Sequence, residues 1–398
     1  MRISPLDSGT LAVCAAAMLA GCGGGSGGLL SPSPAGVRAE QTRPSHRYDV
    51  LYSFKGGSSD GAYPEAALVN VKGKFYGTTY GGGANGDGTV FAITKFGTET
   101  VLYSFEGGGD ANLPEAGLIN VNRTLYGTTY GGGKDGDGTV FAITTSGKET
   151  VLHSFGAESN DGIYPIASLI NVKGTLYSTT YERGKNADGT LFMITPSDTE
   201  TVLHSFGTGP RDGSGPRAGL LNVKGTLYGT TSRGGGDGYG TVFAITPSGT
   251  EIVLHNFKGI PDGEYPYAGL INVNGTLYGT TYFGGAYDDG TVFSITASGK
   301  LTVLHSFGMT GDGEYPYAGL INVNGTLYGT TYEGGGANGG GTVFAITTSG
   351  KETLLHNFTG SGDGEYPIAG LIDVGGTLYG TTPAGGANDG GTVFALSP

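Results

Sequence analysis

The motif Val-Leu-x-x-Phe recurs along this chain on a nearly fixed period, once as Leu-Leu-x-x-Phe. It ends at Phe54, Phe105, Phe155, Phe206, Phe257, Phe307 and Phe358, a spacing of 50 or 51 residues each time. A second landmark, Leu-Tyr-Gly-Thr-Thr or a close variant, carries Tyr76, Tyr126, Tyr177, Tyr228, Tyr278, Tyr328 and Tyr379. A chain with seven such units cannot be read by dividing its 398 residues into ordinary domains. A repeated unit of this size buries its apolar faces only against its own copies, so the fold must be a stack or a ring. The stretch "DGEYPYAGLINVNGTLYGTTY" occurs unchanged at 262–282 and 312–332, which marks the unit as architectural first.

Each unit contains four strand-like runs. In the fifth they are "AGLINV" (268–273), "TLYGTTY" (276–282), "GTVFSIT" (290–296) and "LTVLHSF" (301–307). An Asn-Gly or Lys-Gly pair joins the first two, the signal for a type I′ hairpin turn with positive φ at both central residues. A short Gly-containing turn joins the third and fourth, and the other two connections are longer. Gly is 81 and Pro 17 of the 398 residues, close to a low-complexity composition. Here, however, the glycines recur at fixed places between apolar runs and read as turns. Four antiparallel strands in about 50 residues match a propeller blade. Runs such as "TVFAIT" and "ETVLHSF" are apolar nearly throughout, as expected of strands covered on both faces. The chain begins its repeats with a lone fourth strand, "YDVLYSF" (48–54), and its last copy stops after a third strand, "GTVFALSP" (391–398). Pairing the two completes an all-β, seven-bladed propeller and removes its open edges. A parallel β-solenoid, the alternative, gives no reason for complementary ends.

The matching text "AGLINVNGTLYGTTY", a Gly-Gly pair, "GTVFAIT" and "VLHSF", present in all seven copies with substitutions, resembles the GloVer tandem repeat of "choice-of-anchor" bacterial surface proteins over about 48–398. The resemblance implies an exported, anchored, propeller-like protein and supplies no catalytic residues. Residues 11–20, "LAVCAAAMLA", have the length of a signal-peptide apolar core, too short for a spanning helix. "LAGC" follows, Leu19 to Cys22, and resembles the bacterial lipobox. Residues 1–21 are therefore expected to be a lipoprotein signal peptide, Cys22 the lipid attachment site and residues 22–47 a Gly/Ser/Pro tether. The chain ends on a strand with no C-terminal sorting tail, so the lipobox would be the anchor. The expected location is the bacterial outer membrane or cell surface, with secretion as the alternative and the lipid as the only membrane contact.

The net charge of −13 argues against nucleic acid as a partner and is compatible with cations, neutral carbohydrate or basic proteins. Both cysteines lie within the first 22 residues, so the repeats have no thiol chemistry. In an up-and-down blade the short turns fall on one face and the long loops on the other, where binding usually resides. That face carries a repeated Asp followed three residues later by Tyr, as in Asp262 and Tyr265, Asp312 and Tyr315, and Asp363 and Tyr366. Carboxylates beside aromatic rings can hold sugars, and loop carboxylates can hold Ca²⁺. Asp-Gly is equally a turn former, and no Asp-x-Asp-x-Asp-Gly loop is present, so the Ca²⁺ signal is weak and no cofactor is expected. His153, His204, His255, His305 and His356 lie on fourth strands of different blades, diverge from one another, and read as packing. Arg183, Lys185, Arg211, Arg217 and Arg233 break the symmetry of the third and fourth units and read as a basic cluster for an anionic group.

The leading expectation is a monomeric binding module for polysaccharide or a surface protein. An enzyme of lactonase, lyase or glycosidase type is the alternative, and a structural surface scaffold the second. Catalysis would call for unique acid–base groups near the axis. "AGLINV" offers none beyond Asp373, which replaces the usual Asn.

Overall fold

The computed structural model describes residues 46–398 except 159, 196–198, 247, 310, 337 and 361. The expected signal peptide, Cys22 and nearly all of the tether lie outside the described residues.

Every unit folds into four antiparallel strands hydrogen-bonded in chain order. In the fifth these are Ile271–Val273, Thr276–Thr281, Thr291–Ile295 and Leu301–Ser306. The seventh sheet is assembled from both ends of the chain. Arg47–Ser53 pairs with Thr392–Ser397, and the sheet continues through Thr377–Thr382 to Ile372–Val374. Tyr48 lies opposite Leu396 and Ser53 opposite Thr392. The fold is a closed, all-β, seven-bladed propeller.

The first hairpin turn has the backbone its residues demand. Asn274 and Gly275 have φ of 53° and 89°, and Lys72 and Gly73 of 55° and 84°. The preceding Asn caps the turn: Asn272 Oδ1 accepts the Gly275 N–H at 3.2 Å. Asp373 accepts from Gly376 at 3.0 Å in the same way, so its departure from Asn preserves a structural bond.

Three contacts repeat at the joints between blades. The Phe that closes each landmark meets the third-strand Phe of the next blade edge-on, as in Phe257 and Phe293 at 5.4 Å and Phe54 and Phe91 at 5.1 Å. The first Thr of the Thr-Thr pair reaches across the joint in five of the seven blades. Thr230 Oγ1 donates to the Ala268 carbonyl at 3.0 Å, and Thr381 to that of Ala66 at 3.1 Å, which closes the ring. Finally, the residue before the strand-entry Pro adopts left-handed φ between 53° and 59° in all seven units. Its N–H donates to a loop carbonyl of the previous blade, as from Tyr315 to Asp289 at 2.8 Å. The second Thr stays within its blade and bonds the third strand, Thr129 Oγ1 to Thr139 Oγ1 at 2.8 Å. The Thr-Thr pair is thus both strand filler and polar fastener.

Two features differ from expectation. The third strand is buried almost throughout, but the fourth is only partly covered, because it forms the rim and hands its Phe inward just past its end. The long-loop face is also more ordered than irregular loops would be. Two-residue ribbons such as Gly313–Glu314 with Glu333–Gly334 tie the two long connections of a blade together.

Candidate functional site

The first strand of every blade is entered through Pro-x-Ala followed by a small residue. Those small residues, Ala67, Gly117, Ser168, Gly219, Gly269, Gly319 and Gly370, meet their neighbours around the axis. A methyl group on Gly269 would come within 2.7 Å of the Gly219 carbonyl oxygen, and one on Gly370 within 3.8 Å of Ala67 Cβ. Ser168 Oγ accepts the Gly117 N–H at 3.0 Å. Such a close ring leaves no room for larger side chains at that level.

Two residues earlier, on the long-loop side, the chain widens into a cup of about 170 Å³. The variable residue of each Pro-x-Ala lines it: Glu65, Glu115, Ile166, Arg217, Tyr267, Tyr317 and Ile368. All seven Pro and Ala neighbours are invariant, so the unit holds these positions rigidly while their chemistry differs. The two carboxyl groups sit on adjacent blades. Arg217 lies in the fourth blade, with its guanidinium 5.0 Å from the Tyr181 ring and 5.2 Å from the Tyr267 ring. Tyr267 lies 5.2 Å from Tyr317 and 5.1 Å from Tyr282. The cup is therefore aromatic and cationic on one side and acidic on the other.

Burial, and then the charge of Glu115, push the Glu65 carboxyl up to about 8, with Arg217 acting in the opposite sense. Burial also raises Glu115, opposed by Arg217. Burial works against the Arg217 charge, but the neighbouring Tyr317 and Glu115 outweigh it and hold the guanidinium protonated. At neutral pH the site thus offers a fixed cation flanked by rings, facing a carboxyl group that carries its proton. A guanidinium stacked between aromatic faces keeps its N–H fork available for a planar anion. Aromatic faces beside it suit the apolar face of a ring such as a sugar.

The residues singled out from sequence are distributed differently. Arg217 is at the axis. Arg233, exposed, lies 5.9 Å from the centroid of the same Tyr181 ring. Arg183 is held away by Asp137 at 3.3 Å and the Gly156 carbonyl at 3.2 Å. Lys185 is exposed, and Arg211 lines a separate recess with Asp237, His255 and Lys258. Asp262 and Asp312 each bond a histidine of the rim, His255 and His305, at 2.9 Å. Asp363 accepts from the Thr359 N–H and Oγ1 and faces His356 at 3.3 Å. Tyr315 stacks on Tyr282 at 5.2 Å and Tyr366 packs at 5.1 Å against Tyr332, while Tyr265 lies 6.3 Å from Tyr267. These Asp residues fasten loops, and the tyrosines pack against other rings of the long-loop face without lining the cup. Sequence reasoning missed Glu65, Glu115, Tyr267 and Tyr317. Their signal was variability in the slot just before "AGLINV", where every neighbour is constant.

The fold and this axial site define a seven-bladed propeller with one asymmetric cup. The chain belongs to the Gloeobacter/Verrucomicrobia repeat family, whose model matches residues 35–185, 150–340 and 310–398. No curated protein matches it. Among solved structures, it is similar to the BP39L lectin of Burkholderia pseudomallei, with a TM-score of 0.57 at 11% identity over 87% of this chain and 97% of that one. A putative 6-phosphogluconolactonase of Bacteroides uniformis gives 0.49 at 14% identity, over 78% and 89%.

Proposed function

We propose that this propeller is a surface binding module whose axial cup takes an acidic sugar, a uronic acid unit of a polysaccharide. The observation that carries the reading is Arg217, set between two tyrosine rings in a cup whose opposite wall holds a protonated Glu65. The sugar carboxylate would meet the guanidinium, its ring would stack on Tyr267, and Glu65 would donate to a ring or hydroxyl oxygen. One of the propellers it resembles in shape is a lectin, which is consistent with carbohydrate as the ligand class. Titrating the full chain with galacturonate and galactose oligomers of equal length tests this. Only the uronates bind, Arg217→Ala weakens them about tenfold or more, and Arg211→Ala leaves them unchanged. Equal binding of the neutral oligomers would refute the reading.

A second reading rests on the Glu65 and Glu115 pair. A carboxyl group with a raised pKa beside a second carboxylate is the equipment of general acid–base catalysis. Release of products from a uronate or lactone substrate, lost in Glu65→Gln with binding retained, would favour an enzyme.

In either reading the chain is exported and held at the bacterial surface through Cys22. The apolar run followed by "LAGC" supports this. Palmitate labelling that disappears in Cys22→Ser tests it, and undiminished labelling would contradict it.

A further inference from the structure

The seven outer joints are built to one plan. A residue of one blade's fourth strand faces the repeated Asp of the following loop. Beside it comes the first residue of the next blade's fourth strand, Glu in five of the seven. In most joints a direct bond closes the arrangement. Tyr52 donates to Asp60 at 2.8 Å, Tyr103 to Asp110 at 3.0 Å, and His255 and His305 meet Asp262 and Asp312 at 2.9 Å. In the His255 joint Leu301 stands where the Glu would be.

The joint between the second and third blades stays open. His153 Nε2 stands 3.5 Å from Asp161 Oδ2, and Glu200 completes the group, with one donor atom from each residue within 4.8 Å of the others. His153 Nε2, Asp161 Oδ1 and Glu200 Oε1 are all buried without a hydrogen-bond partner. The Asp161 side chain is only 4% exposed. Asp161 Oδ2 accepts the Gly156 N–H at 3.0 Å, which leaves Oδ1 free. Buried polar atoms without partners are costly and rare, and one on each of three neighbouring residues marks a place for a further atom. The neighbouring His204, Asp212 and Glu251 group is similar in shape, but Asp212 is already satisfied there. Its oxygens accept from the Thr208 N–H and Oγ1 and from the Gly213 N–H.

We propose that His153, Asp161 and Glu200 form a binding site for a divalent first-row cation of the zinc type. One imidazole and two carboxylates suit zinc better than calcium, which prefers oxygen alone. Ligands about 2.0–2.2 Å from a tetrahedral ion lie roughly 3.3–3.6 Å apart, close to the His153–Asp161 separation. Water would fill the fourth position, reached through the partly exposed His153 edge. The ion clamps the fourth strand of one blade, the following loop and the fourth strand of the next.

The test is zinc titration of the metal-free full-length chain, with melting temperature followed in parallel. His153→Tyr and Glu200→Leu each install a residue that a sister joint carries, so both variants keep the fold. Wild type is expected to bind one zinc ion that both variants lose, to melt higher with zinc than without, and to keep both properties in Glu251→Leu. Zinc binding to wild type no greater than to His153→Tyr and Glu200→Leu would overturn the proposal, as would loss of that ion in Glu251→Leu.

Discussion

Glu65 and Gly269 show how much one residue decides on a repeated scaffold. Glu65 carries its proton up to about pH 8, because burial and Glu115 both resist its ionisation. Above that pH Glu65 brings a negative charge into the cup. Affinity for an anionic ligand is therefore expected to be steady from pH 6 to 7 and to fall as pH rises through 8. Glu65→Gln should flatten the profile, and an unchanged slope in that variant would refute the assignment. Gly269 faces the Gly219 carbonyl, a backbone atom that cannot turn away. Gly269→Ala is expected to destabilise the chain by about 1–3 kcal/mol, whereas Gly370→Ala, with only ordinary contact at 3.8 Å, is tolerated. Denaturant midpoints compare the two. At this scale the sequence was least legible. The consensus drew attention to what repeats, and the cup is made from a slot that does not. The basic residues of the third and fourth units looked like one cluster because they are close along the chain, but the fold spreads them over the rim, the loop face and the axis.

At the scale of strands and turns the sequence was most legible. Asn-Gly and Lys-Gly, present in five of the seven units, favour the left-handed backbone seen at every first hairpin, including Asn122-Arg123 and Gly375-Gly376, and alternating loop lengths fixed which face would carry the long connections. What could not be read was the polar traffic between elements, because it joins residues of different strands, some within a unit and some across units. The Thr-Thr pair is the example: Thr129 and Thr139 satisfy each other in a fully buried setting. Thr129→Val strands the Thr139 hydroxyl and is expected to cost about 1–3 kcal/mol. The double replacement of Thr129 and Thr139 by Val should recover only the part due to that hydroxyl, because Thr129 Oγ1 also bonds the Gly131 carbonyl and the Thr139 N–H; thermal or chemical denaturation would reveal it. The histidines of the rim were expected to pack, and they do lie against the landmark Phe rings, His255 on Phe257 at 5.1 Å. Their bonds to Asp residues of the next loop came only with the structure.

For the whole molecule, closure and charge govern stability. Residues 46–54 supply the outer strand of the seventh blade, and Phe54 and Val393 belong to one apolar cluster with Phe91 of the first. A chain beginning at Lys55 would leave that cluster open and Thr392–Ser397 without its outer partner, so it is expected to melt far lower and to aggregate. Glu99 and Glu149 are pushed up to about 7, first by burial and then by Asp60 and Asp110. Between pH 4.5 and 7 the folded chain holds protons there that the unfolded chain has released. Stability is therefore greatest below pH 4.5 on this account and is lost as pH rises through 7. Melting temperature should be higher at pH 5 than at pH 8, and the reverse order would exclude these groups as the cause.

The central claim is that one asymmetric cup on the axis, organised by Arg217, gives a symmetric scaffold its specificity. A crystal structure of the propeller soaked with a galacturonate trimer tests it most directly. The account predicts a sugar on the Tyr267 face with its carboxylate paired to Arg217. A sugar bound instead at the rim beside Arg211 and Lys258, with the axial cup holding only water, would contradict it.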